Sequence, residues 1–191
     1  MTTILGVDPG LTRLGVGIVK VGPGRTVSLV HVDVYRTSTD ADIAERLGLM
    51  SGLVDALLER YQPDALSLER VFAQHNVRTV MGVAQVSGVV LALAHKRGIP
   101  VSLRTPSEVK AAVTGHGRAD KAQVGRMVQK ILGLDEIPKP ADAADALALA
   151  ITEAWRGVAL GSSTQSTSVS TPAQKAWRDA EAKARRPKLQ G

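Results

Sequence analysis

An apolar run, Ile4-Leu5-Gly6-Val7, ends in Asp8-Pro9-Gly10. β-Branched residues followed at once by a Pro-Gly break predict a buried strand that delivers one carboxylate into a tight turn, a surface aspartate starting that turn being the plain alternative. Apolar positions resume over 15–21, pause at Gly22-Pro23-Gly24 and return over 26–36, so three strands with short links read as an antiparallel meander. In the third strand the apolar positions slip from Val27 and Leu29 to Val30, Val32 and Val34. A one-residue bulge near Leu29 would keep a single face inward. From Asp40 the period lengthens to that of a helix: Ile43, Leu47, Met50, Val54, Leu57 and Tyr61 form one stripe that stops before Pro63. Residues 65–69, Ala-Leu-Ser-Leu-Glu, then repeat the design of the first strand, short and apolar with an acid, Glu69, at the end.

Asn76 is placed to cap a helix over 77–97 that Gly98 ends, and its valines, alanines and glycines cover more than one face. Burial of all these faces in one core is the plain reading; the sharper one packs the helix on its sheet and against a second copy of the chain, and on that reading a charge at Val86 or Val90 is expected to break the pairing. Residues 100–104 make a fifth strand. Thr105-Pro106-Ser107-Glu108 is a capping box with proline at the first helical position, and Gly115-His116-Gly117 ends the helix it opens. Another helix starts at Asp120, turns Val124, Met127, Val128 and Ile131 inward and closes at Gly133; Pro140 opens an alanine-rich helix over 141–155. Residues 161–171 are rich in Ser and Thr and carry too little apolar surface to fold. A basic helix over 173–186 would be marginal alone. The expected organisation is one folded domain over 1–156, then a Ser/Thr-rich linker and disordered basic tail over 157–191.

Composition narrows the chemistry. With no cysteine there is no thiolate catalysis, cysteine-ligated zinc or disulfide, while hard-metal chemistry on carboxylates stays open. The net charge of +6 is unevenly spread: residues 70–130 carry ten basic and two acidic side chains, against six and nine over 1–69 and one and five over 131–155. A polyanionic partner is implied, nucleic acid before an acidic membrane or protein surface. No apolar run is read as reaching the ~18 residues of a membrane span, and no leader is read at the N-terminus. A cytoplasmic protein with no membrane partner is expected.

Asp142 and Asp145 stand three apart in Ala-Asp-Ala-Ala-Asp-Ala, on one face of a helix whose alanines allow a close approach to a sheet. Taken alone, the pair also reads as favourable first-turn charge. If the first and fourth strands are neighbours and this helix crosses them, Asp8, Glu69, Asp142 and Asp145 converge. Four close carboxylates repel unless cations intervene, and oxygen ligands suit magnesium or manganese rather than zinc.

The motifs Ile4 to Gly10, Leu68-Glu-Arg-Val-Phe72 and Ala141-Asp-Ala-Ala-Asp-Ala-Leu-Ala148, in that order, resemble the RuvC family of Holliday-junction resolvases over about residues 3–155. The resemblance implies the ribonuclease H-like α/β fold: a five-stranded mixed sheet, an antiparallel meander plus two parallel strands, flanked by helices. It implies a homodimeric, magnesium-dependent endodeoxyribonuclease that resolves four-way DNA junctions by paired symmetric nicks in recombination and repair, beside a branch-migration complex (RuvA and RuvB). Asp8, Glu69, Asp142 and Asp145 would hold two Mg2+ per site, with Mn2+ able to substitute, and the products would be 5′-phosphate and 3′-hydroxyl ends. By the same resemblance Phe72 engages unpaired bases and Lys110 and Lys121 lie near the cleaved backbone. Arg78 and Arg118 are further candidate DNA contacts, and His75 and His116 stand near the same mouth without a role. Two physical readings agree. Lys121 falls in the first turn of a helix, where a nearby phosphate would offset an unfavourable charge; Phe72, the one phenylalanine, enters a loop where a base could stack. A solvated lysine and a loop-anchoring hydrophobe are the plain alternatives. Among rival functions, an actin-like ATPase or sugar kinase would need a second such domain, and a non-catalytic junction-binding module would use the acids only as caps.

Overall fold

The computed structural model describes residues 1–70 and 77–156, with the backbone alone at 77 and 78. Expectations at Phe72, His75, Asn76, the Arg78 side chain and 157–191 lie outside the described residues. β1 (Thr2–Asp8), β2 (Arg13–Val21) and β3 (Val27–Arg36) form the meander, and β4 (Ala65–Glu69) and β5 (Val101–Arg104) extend the sheet in parallel, in the order β3-β2-β1-β4-β5. The ladder between β2 and β3 slips once: Ile18 faces His31 and Val19 faces Leu29, which leaves Val30 as the extra residue. That bulge is why Val27, Leu29 and Val32 all reach the same core.

Helices cover both faces. α1 (Ile43–Tyr61) and α2 (Val77–Lys96) pack on Leu5, Val7, Val16, Ile18, Leu66 and Leu68. α3 (Pro106–Thr114), α4 (Lys121–Leu132) and α5 (Ala141–Arg156) pack on the other face, around Ile4 and Val19. Local signals set the ends. Asp42 caps α1 by accepting from the Glu45 N–H, Thr105 and Glu108 form the reciprocal capping box of α3, and Asp120 with Gln123 does the same for α4. Gly115 and Gly133 supply left-handed C-caps.

Two inward faces differ from the sequence reading. Ile43, the first residue of α1, is 44% exposed, and Leu58, one turn beyond Val54, completes the buried stripe. In α2, Val86 and Val90 are fully buried in the core of the first face, so neither is available to a partner chain. The side of α2 left outside carries Met81 (55% exposed) and Leu91 (37%), with the small residues Ala84, Gly88 and Ala92. Apolar on both sides, Thr79–Lys96 is long and apolar enough to cross a membrane by length and composition, though no such run was expected.

α5 is seated without a side-chain layer beneath it. At Gly6, Gly15 and Gly17 the space a Cβ would fill is occupied by Ala146 O, Asp142 O and the Leu147 backbone. Gly6 and Gly17 are direct cross-strand partners, and Gly15 is the partner of Asp8. The first turn of α5 is thereby laid on the end of β1. At the other end of the helix the fully buried Glu153 accepts from Ser102 Oγ (3.0 Å) and from Arg104 Nε and Nη2 (3.1 and 2.6 Å), tying α5 to β5. Stripping a buried ion of its partner costs about 3–5 kcal/mol, so this pair resists sliding of the helix.

Candidate active site

Asp8 ends β1, and the parallel register that sets Val7 beside Leu68 puts Glu69 of β4 next to it on the face that α5 covers. Their side chains are hydrogen-bonded, with Asp8 donating to Glu69. Asp142 and Asp145 descend from the first turns of α5 over this pair. Burial, then the charges of Glu69 and Asp145, push the Asp8 carboxyl up to about 8. Glu69 is raised as well, by burial first and Asp145 next, against the lowering effects of the Asp8 hydrogen bond and Lys121. The two carboxyls therefore share a proton that an isolated aspartate would have released.

Two basic side chains frame the acids. Arg13, the first residue of β2, places Nε 3.2 Å from Asp142 Oδ2, and Lys121, the first residue of α4, places Nζ 3.0 Å from Asp145 Oδ2. Its hydrogen bond to Asp145 raises the Lys121 ammonium above the usual lysine range. That carboxylate offsets the unfavourable first-turn charge, the part that sequence reasoning gave to a phosphate. Asp142 and Asp145 are thus each held in an ion pair with a basic neighbour. Among the described residues, no three carboxylates or imidazoles are gathered into a ready set of metal ligands.

Asp8 forms a ridge between two cavities. One, of about 430 Å³, is bordered by Asp142, Arg13, Thr12 and Arg46; the other, of about 420 Å³, by Glu69, Asp145, Lys110 and Lys121. The donors fit a hard divalent cation: all are carboxylate oxygens, and burial first, then the neighbouring acids, already favour a proton on Asp8 that a cation would replace.

Of the sequence-predicted residues, the structure brings Asp8, Glu69, Asp142, Asp145, Lys110 and Lys121 together. Arg118, exposed in the turn between α3 and α4, borders neither cavity. His116 borders a separate cleft of about 270 Å³ with Gln123 and Arg126. Sequence reasoning missed Arg13, Arg46 and Glu153. Glu153 had a signal: it is the one acid deep in an alanine-rich apolar helix, eight residues from Asp145 and so on the same side.

A family model described as "Crossover junction endodeoxyribonuclease RuvC" matches residues 4–153. A curated relative of that name from Paenarthrobacter aurescens (strain TC1) is 58% identical over 184 residues, covering 96% of this chain and 97% of the relative. Among solved structures, T. thermophilus RuvC in complex with Holliday junction substrate superposes with a TM-score of 0.78 at 38% identity, covering 82% of this chain and 94% of that one. Another Thermus thermophilus RuvC structure gives 0.75 at 40% identity, covering 81% and 94%. The ribonuclease H-like sheet, the acids at the ends of β1 and β4 and these matches lead to one conclusion: this chain belongs to the RuvC family of crossover junction endodeoxyribonucleases.

Proposed function

We propose that the chain cuts four-way DNA junctions in recombination and repair by metal-dependent hydrolysis of one phosphodiester at each of two symmetry-related sites. The observation that carries this reading is the convergence of Asp8, Glu69, Asp142 and Asp145 from three elements, with Lys110 and Lys121 on the same cavity wall. Asp8, which borders both cavities, would hold the metal together with Glu69, Asp142 and Asp145. Two magnesium ions, or manganese as a substitute, would supply Lewis acidity for attack by water and departure of the 3′-oxygen, giving 5′-phosphate and 3′-hydroxyl ends. Asp8 would hold a bound ion in place of its proton, and Asp142 and Asp145, now paired with Arg13 and Lys121, would be its other carboxylate partners. Lys121, next to Asp145, and Lys110 on the same cavity wall would neutralise the phosphate as charge builds on it.

The working unit in this reading is a homodimer formed through the outer face of α2, where Met81 and Leu91 flank the strip Ala84, Gly88 and Ala92 that lets two helices approach. Residues 1–156 are the nuclease domain, and 157–191 a linker and basic tail that adds general DNA affinity. The setting is the bacterial cytoplasm, with a branch-migration complex as partner. In the decisive experiment, Asp8→Asn binds an immobile four-way junction as tightly as wild type but cuts it at least about a hundredfold more slowly in magnesium, as loss of an electrostatic stabiliser implies. Residual cutting near the wild-type rate would remove Asp8 from the metal site.

A further inference from the structure

The cavity on the Asp142 side of Asp8 holds a cation that the assignment above leaves unused. Arg46, in the first turn of α1, donates from Nε to Thr37 Oγ1 (2.9 Å) and from Nη2 to Thr12 Oγ1 (2.8 Å). Thr37 is buried and is itself fixed, since its hydroxyl donates to Leu11 O (2.6 Å) and its N–H to Thr12 O (3.2 Å). The guanidinium is thus aimed by two neutral oxygens, that of Thr12 on the turn that follows Asp8 and that of Thr37, which is bonded to the same turn. Among the described residues Arg46 makes no ion pair with a carboxylate, whereas its neighbour Arg13 is engaged by Asp142.

Three features distinguish this from a simple latch. A guanidinium carries five N–H donors, and the two threonines take two. A cation in the first turn of a helix is set against the helix dipole, and neutral hydroxyls return little of that cost. Thr12, whose oxygen accepts from Arg46, keeps its own O–H to give to another acceptor. What the cavity offers is therefore a fixed fork of N–H groups and one hydroxyl, within reach of a chain lying across Asp8; a phosphodiester matches it in charge and geometry.

We propose that Arg46, with the Thr12 hydroxyl, is a subsite for a phosphate that flanks the scissile one on the Asp142 side of the cleaved strand. The inference rests on the nuclease reading and adds a position to it: Lys110 and Lys121 hold the strand on one side of Asp8, and Arg46 and Thr12 hold it on the other.

The test uses the full chain and four-way junctions in which single phosphates around the cleavage point are replaced, one at a time, by uncharged methylphosphonates. Binding is read in calcium, so that cutting does not interfere. For wild type, neutralising one flanking phosphate weakens binding about tenfold. Arg46→Ala binds the unmodified junction about tenfold more weakly, loses a salt slope of about one and shows no further loss at that one phosphate, while other positions cost it as much as they cost wild type. Arg46→Gln, which keeps a donor for a threonine without the charge, gives the same pattern if the alanine variant does not fold. Thr12→Val shows a smaller loss coupled to the same phosphate. The subsite is overturned if the variants bind like wild type, or if every methylphosphonate costs them what it costs wild type. Failure of the wild type to bind the junction at all would instead overturn the nuclease reading.

Discussion

Asp8 gives the molecule a pH dependence whose sign follows from its burial. In the unfolded chain its carboxyl ionises near 3.8, while in the folded protein it holds its proton up to about 8. Between those values the native state binds a proton that the unfolded state does not, so without added metal the folding stability falls as pH rises from about 4 to 8. Glu69, also raised, acts in the same direction; Lys121, raised above the ordinary lysine range, contributes nothing in this window. Magnesium or manganese, added without DNA, is expected to raise the melting temperature more at pH 8 than at pH 5. Asp8→Asn flattens the pH slope and stabilises the metal-free protein at pH 8 by roughly 1–3 kcal/mol, since each tenfold change in proton affinity is worth about 1.4 kcal/mol. Scanning calorimetry at the two pH values decides, and an equal metal response at both would refute the account. At this scale the acids were legible, because a carboxylate ending an apolar strand breaks the local pattern. Arg13, Arg46 and Arg104 were not, since an arginine at a strand end or near the start of a helix looks solvated until the fold supplies its partner.

At the scale of elements, the boundaries were readable wherever local chemistry sets them. The capping boxes at Thr105 and Asp120, the glycine stops at Gly115 and Gly133, and the slip in β3 that becomes the Val30 bulge all act within a few residues. Orientation was harder. Along α2 nearly every turn offers valine, alanine or leucine on both sides, so periodicity could not say which side meets the sheet; packing chose Val86 and Val90. The interface test moves accordingly. Val86→Glu or Val90→Glu is expected to unfold the domain, because it places an unpaired charge in a closed core. Met81→Glu or Leu91→Glu should leave a folded protein that sediments as a monomer at micromolar concentration and nicks one strand without coordinating the second. Dimers from both of the latter variants would move the interface off this face. The match of Gly6, Gly15 and Gly17 to the α5 backbone was beyond sequence reading for a related reason: a glycine announces missing bulk but not what fills the gap.

Across the whole molecule, the site draws on elements spread from one end of the described chain to the other. Asp8 comes from the first strand, Glu69 from the fourth, and Asp142 and Asp145 from the last helix, which touches β1 and β2 through the glycine strip and β5 through Glu153. Because α5 is the final described element, a ribosome builds the sheet long before it builds the cover that rests on it. A nascent chain that has emerged only as far as residue 140 presents the Gly6, Gly15 and Gly17 strip and the apolar Ile4 and Val19 to solvent. The four acids are thereby kept from meeting until α5 has been made, and domains generally fold as units during synthesis. Chains stalled with residue 140 just outside the exit tunnel should be digested rapidly by a dilute protease, and those with residue 156 outside should resist. Resistance at the earlier point would mean that the sheet and its first four helices hold together without α5.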